Sequence, residues 1–124
     1  MIKGRGVYLP KKENKYHAVK TKLDGYTFDS KKEADRYREL KNLLDAGKIE
    51  NLEIHKPFEL IPTQRDEHGK LLEHKCTYIA DFVYVQDGKL IVEDTKSPPT
   101  KTKPEYIQKR KMMLFFHGIR IQEI

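Results

Sequence analysis

The segment Tyr78–Ser97, YIADFVYVQDGKLIVEDTKS, decides how the chain is read. Its two halves, rich in aromatic and β-branched residues, flank Asp87-Gly88. That pair tolerates the positive φ angles needed at both central positions of a two-residue type I′ turn. If the turn is symmetric, Gln86 faces Lys89, every opposed pair of residue numbers sums to 175, and Asp81 faces Asp94. Strand side chains alternate in direction, so Val83 and Val85 lie with Asp81, and Leu90 and Val92 with Asp94, on the core-facing side. Lys96 continues that side by one more step of two. Three ionisable groups therefore gather where a short hairpin should be most apolar.

Directly opposed Cβ atoms stand about 5 Å apart, and at an effective dielectric constant of about 20 two carboxylates at that distance repel by roughly 3 kcal/mol. Protonation of one acid, pairing with Lys96 or a divalent cation between the carboxylates would relieve the repulsion. A purely structural Asp-Asp-Lys cluster leaves two negative charges sharing one positive charge. A hard cation is the better answer. Mg²⁺ suits aspartate oxygens, and it commonly keeps few protein ligands and several waters where a substrate phosphate completes the shell. The expectation depends on the turn, because a slip of one residue throws one acid to the other face.

Outward from the hairpin, the stretch SKKEADRYRELKNLLDAG predicts a helix with Ser30 as N-cap, Glu33 at the capping-box position and Gly47 as its stop. Glu33, Tyr37, Leu40 and Leu44 form one stripe, which turns Glu33 toward the sheet. Glu33 is thus both a local cap and a candidate for orienting a water at the site. Before this helix, Tyr16–Thr21 and Tyr26–Phe28 predict a small hairpin turning near Asp24-Gly25. After it, Leu52–Pro62 predicts an edge or bulged strand because Pro57 lies inside it, followed by a polar excursion with its tip at Glu67–Gly69. A proline-rich loop leads to a second helix over about Pro104–His117, with Thr102 and Glu105 spaced as a capping box and Gly118 past its end, and Ile119–Ile124 closes as a strand. The fold class expected is α/β, with the order helix, three strands, helix, strand. Residues 1–15 read as a basic arm and 16–124 as one domain.

Charge supports a polyanionic partner. The net charge is +6 over 124 residues, but residues 1–32 hold nine Lys/Arg against three Asp/Glu, residues 33–94 nine against fourteen, and residues 95–124 seven against two. Basic flanks thus surround an acidic centre, which suits a protein that grips phosphates around carboxylates. Cys76 is the only cysteine, which points to a reducing compartment, and the lack of a long apolar run predicts a cytoplasmic protein with no membrane partner. His74 and Cys76 lack a second pair at zinc spacing. His17, His55, His68 and His117 are scattered and form no nuclease pattern of the His-Asn-His kind. Met112, Met113, Phe115 and Phe116 read as core plus an edge of the last helix, and exposure of part of that surface predicts self-association as a homodimer.

An acid on one strand, then a turn, then Asp94-Thr95-Lys96 as acid-x-Lys, within this element order, resembles the PD-(D/E)XK nuclease superfamily. The stretches FDSKKEADRYREL, IADFVYVQDGKLIVEDTKS and KRKMMLFFHGIRIQEI look like a small phage-encoded endonuclease family within it, over nearly the whole chain from Tyr16. Ala80 stands where the superfamily name has proline, a position without a chemical part. The resemblance implies a restriction-endonuclease-like core, Asp81 and Asp94 as metal ligands, the Thr95 carbonyl as a third, Lys96 as the group that positions or activates water, and Glu33 as an outer or second-metal ligand. It also implies Mg²⁺, with Mn²⁺ able to substitute, DNA as partner and the host cytoplasm as location. Glu93 alternates away from Lys96, which favours Asp94 as the ligand. Lys109, Arg110 and Lys111 are candidates for DNA phosphate contacts, Lys111 reaching toward the site one turn after Ile107.

The function expected is metal-assisted hydrolysis of DNA phosphodiesters, structure-selective or weakly sequence-specific, since no base-reading element stands apart from the core. Two alternatives are a Holliday-junction resolvase and a non-catalytic DNA-binding accessory protein on the same fold.

Overall fold

A computed structural model describes residues 20–124; the basic arm and residues 16–19 of the small hairpin's expected first strand lie outside the described residues. The protein is mixed α/β, with three helices and a small mixed sheet among the described residues. The chain divides into two compact units, Met1–Lys41 and Asn42–Ile124.

In the first unit, β1 (Thr21–Leu23) and β2 (Tyr26–Phe28) form an antiparallel hairpin. It turns through Asp24 and Gly25, both at positive φ. Helix α1 (Lys31–Asp45) follows. Ser30 Oγ accepts the Glu33 N–H at 3.1 Å, and the Glu33 carboxylate accepts the Asp29 N–H at 3.1 Å, one residue earlier than a standard capping box would place it. The Tyr37 hydroxyl donates to Asp24 at 2.8 Å, and the Phe28 and Tyr37 rings pack with centroids 5.1 Å apart. The tip of the hairpin is thereby fastened to the helix that it precedes.

In the second unit, α1 ends at Gly47. The Gly47 N–H donates to Leu44 O and the Lys48 N–H to Leu43 O, the double closure that a residue with φ of +73° makes possible. The sheet that follows has the order β3 (Glu50–Ile61), β6 (Cys76–Gln86), β7 (Lys89–Asp94), β8 (Gln122–Glu123). Strand β3 lies at the edge, as Pro57 demands, since proline donates nothing to a ladder. Between β3 and β6 the excursion forms its own two-stranded piece, β4 (Gln64–Arg65) and β5 (Leu71–Glu73). Asp66 Oδ1 closes its tip by accepting the His68 and Lys70 N–H groups.

The segment 98–103 is not the plain loop expected. A four-residue helix, α2 (Pro98–Lys101), occupies it, and α3 (Pro104–His117) starts from Lys103 rather than from a Thr102 capping box. The Thr102 hydroxyl instead donates to Pro99 O at 2.8 Å, so the first short helix takes the group that would have capped the second. Helix α3 then crosses back to lay β8 parallel to β7, the usual route between parallel neighbours. Tyr106 and Met113 of α3 pack with Leu60, Tyr78, Ala80, Val83, Val92 and Ile121 in one buried cluster. Among the described residues no helix is long and apolar enough to cross a membrane.

The β6/β7 register is the one the turn dictates. Gln86 pairs with Lys89, Val83 with Val92 and Phe82 with Glu93. Asp87 and Gly88 have φ of +51° and +76°. A Cβ at Gly88 would meet no atom within 4 Å, so Gly88→Ala costs only the left-handed backbone penalty, about 1 kcal/mol. Urea unfolding should show a lower midpoint with an unchanged slope, whereas an unchanged midpoint would mean that the turn does not set the register.

Candidate metal and nucleic-acid site

Asp81 lies near the middle of β6 and Asp94 ends β7. Continuing the pairing by one step from Phe82–Glu93 sets them opposite each other. Both contacts from Thr95 fall on one oxygen of Asp81: its N–H donates to Oδ2 at 2.8 Å and its hydroxyl at 2.6 Å. Asp94 is 1% exposed. Its Oδ2 accepts the Tyr78 hydroxyl at 2.7 Å and stands 3.1 Å from Lys96 Nζ. The Lys96 ammonium also lies 4.8 Å from the centroid of the Tyr106 ring, an attractive placement for a cation.

This environment does not favour a charged Asp94. Burial first, then the charge and hydrogen bonding of Asp81, push its carboxyl up to about 7, against the opposing pull of Lys96 and Tyr78. One ammonium is not enough for two carboxylates, as the spacing of the hairpin suggests. Burial and Asp94 also push the Tyr78 hydroxyl up, so it stays a donor. Glu93 is equally buried but bonds the Tyr84 hydroxyl, on the side of the strand that alternates away from Asp94. Glu33 belongs to the other compact unit, where it is 3% exposed and its carboxylate accepts the Asp29 N–H within the first turn of α1.

A groove of about 310 Å³ runs beside Lys96, lined by Thr77, Tyr78, Ile79, Thr100, Lys103, Glu105, Tyr106 and Lys109. Of the three basic residues singled out on α3, Lys109 lines this groove, while holding Glu105 at 3.7 Å. Arg110 bonds Glu123 at 3.2 Å. Lys111 does not reach toward Lys96 as expected. With Arg110, Lys101 and Arg120 it lines a second, open depression of about 790 Å³. A helix turns about 100° per residue, so Lys109 and Lys111 cannot share the face that Tyr106 presents to Lys96. Glu123 is held below the usual carboxylate range by the Tyr106 hydroxyl above all, then by Arg110. Lys103 and Thr100 do not stand out in the sequence, because the residues of α2 read there as loop.

Sequence reasoning also misses His55. In the run Glu53–Glu59 every β3/β6 pair sums to 136, from Glu53–Val83 to Glu59–Thr77, and only the rung His55–Asp81 carries no pairing. His55 has φ of +54°. A His55 ring nitrogen and an Asp81 carboxylate oxygen lie within 4.8 Å of each other, a spacing that admits a metal ion. No spacing rule could reveal this, because the register depends on how many residues the excursion between the two strands absorbs.

Residues 13–123 match the model of the family described as "Protein of unknown function (DUF1064)", and the chain belongs to that family. No curated protein and no solved structure matches.

The raised carboxyl of Asp94 has a consequence for stability. Its ordinary value is 3.8, so between about 4 and 7 the unfolded chain releases a proton that the folded protein keeps. The stability contributed by this group is complete below about pH 4 and is lost as pH rises through about 7. In EDTA, the melting temperature of the wild type should therefore fall between about pH 5 and 8 relative to Asp94→Asn, by the equivalent of a few kcal/mol at most. Parallel melting curves for the two proteins across that range would contradict the assignment.

Proposed function

We propose that this chain is a metal-dependent DNA endonuclease with a restriction-endonuclease-like core of the PD-(D/E)XK kind. The observation that carries the reading is the convergence of Asp81, Asp94 and Lys96 at the end of one hairpin, with burial and the neighbouring Asp81 opposing charge on Asp94. The donor set fits a hard divalent cation, Mg²⁺ or Mn²⁺. The carboxylates stand together, a +2 charge would reverse what disfavours the ionised Asp94, and the adjoining groove gives a phosphate access. Asp81 and Asp94 would hold the ion, with the Thr95 carbonyl as the further donor that the resemblance assigns. When bound, the cation supplies Lewis acidity toward a phosphodiester and toward water.

The chain's own residues have separable tasks. Thr95 fixes the Asp81 carboxylate through its N–H and hydroxyl. Tyr78 holds Asp94 Oδ2 and thereby its carboxylate plane. Lys96, 3.1 Å from the same oxygen, stands at the groove wall, where its ammonium orients a water and stabilises negative charge developing on the phosphate. Lys103 and Lys109 extend positive charge along the groove, and Lys101, Lys111 and Arg120 do so around the second depression. Contacts of this type bind the sugar-phosphate backbone without reading bases, which supports structure-selective or weakly specific cutting. Cytoplasmic action is part of the same reading.

The test is a cleavage panel on linear duplex, single-stranded, flap and four-way-junction DNA, with and without Mg²⁺ or Mn²⁺. The wild type should cut at least one form only with metal. Asp94→Asn and Lys96→Ala should lose cutting by about 100-fold or more while still shifting DNA in a gel. No cutting of any form by the wild type would contradict the reading, as would undiminished cutting by both variants.

A further inference from the structure

The rung His55–Asp81 is built unlike the rest of its ladder. In a regular strand, residues three apart point to opposite faces. Yet Glu53 and Lys56 form an ion pair at 3.0 Å. On the facing strand, Tyr78 and Ala80 share one buried cluster with Val83, although strict alternation separates them. Side-chain direction therefore changes on both strands at the same level, while the numbering of the pairs runs on without a slip. His55 and Asp81 occupy that level.

The change coincides with φ of +54° at His55. A residue with a Cβ adopts this conformation at a cost on the order of 1 kcal/mol, and glycine adopts it freely. Asn51, also at positive φ, sits beside a true register shift and serves a bulge. His55 produces no shift. What it does is bring an imidazole nitrogen within 4.8 Å of a carboxylate oxygen of Asp81. Two donors about 2.1 Å from a shared cation stand roughly 3 to 4.2 Å apart, so side-chain rotation closes the remaining distance. Both Thr95 contacts fall on Asp81 Oδ2, so neither uses the other oxygen.

We propose that His55 is a nitrogen ligand of the cation held by Asp81, and that it tunes the site toward Mn²⁺ over Mg²⁺. The inference rests on the proposed metal-dependent reading and adds a residue and a preference to it. Imidazole binds the later divalent metals far better than Mg²⁺, which demands oxygen donors, and Mn²⁺ accepts both donor types. The break in the ladder is then the means by which a side chain from an edge strand reaches the centre of the site.

The experiment uses the full chain without DNA. Mn²⁺ and Mg²⁺ are titrated calorimetrically, and the Mn²⁺-loaded protein is examined by electron spin-echo spectroscopy for modulation from a ligating ¹⁴N. The wild type should bind Mn²⁺ more tightly and show imidazole nitrogen. His55→Gly, which suits the positive φ, and His55→Asn, which tolerates it, should both lose the modulation and on the order of tenfold in Mn²⁺ affinity, with a smaller loss for Mg²⁺. Circular dichroism melts verify that the two variants remain folded. Mn²⁺ binding without nitrogen modulation, or with modulation that persists in both folded variants, overturns the role of His55 and leaves the endonuclease reading intact. Absence of any divalent binding by the wild type overturns both.

Discussion

The turn at Asp87-Gly88 is the constraint on which the rest depends. Two consecutive residues with positive φ fix which residues of β6 and β7 meet, and from that pairing alone Asp81 and Asp94 are set across from each other. Neither acid chooses its neighbour through favourable contact. The repulsion is imposed by backbone geometry, and the surrounding structure only moderates it: Thr95 on one carboxylate, Tyr78 and Lys96 on the other. Titratable groups whose surroundings oppose their charge cluster at functional sites.

The remaining elements make sense as support for that pair. Helix α3 turns Tyr106 toward the sheet, and the ring gives Lys96 an aromatic face as well as the Asp94 carboxylate. The Tyr106 hydroxyl then passes the connection to Glu123 on β8 at 2.5 Å. Strand β8 is short, yet its pairing is prolonged by the Ile124 N–H to Asp94 O and the Lys96 N–H to Ile124 O. The final residues of the chain therefore brace the backbone on both sides of Thr95. The same helix carries Lys109 to the groove and Lys111 away from it, so positive charge is presented on two faces around one acidic centre.

The parts legible in the sequence are those written in local chemistry. The type I′ turn, the Ser30 cap, the Gly47 and Gly118 stops and the edge placement of Pro57 each follow from a few neighbouring residues. Hence the element order and the meeting of Asp81 with Asp94 are readable from the residues alone. Two features are not. Helix α2 hides in Ser97–Thr102 because the same prolines start a helix or break one according to the residues they precede, and its presence leaves Lys103 rather than Thr102 as the N-cap of α3. His55 is invisible because its meeting with Asp81 depends on a non-local count, the length of the excursion at β4 and β5. The change of side-chain direction at that rung breaks the alternation on which any strand reading relies.

The most direct test of the central claim is whether a divalent cation relieves the strain between the two aspartates. Thermal unfolding at about pH 8 should shift upward by several degrees when Mn²⁺ is added in large excess over its dissociation constant, and Asp81→Asn should abolish the shift. Identical melting of the wild type with Mn²⁺ and with EDTA would mean that the opposed carboxylates do not form a metal site.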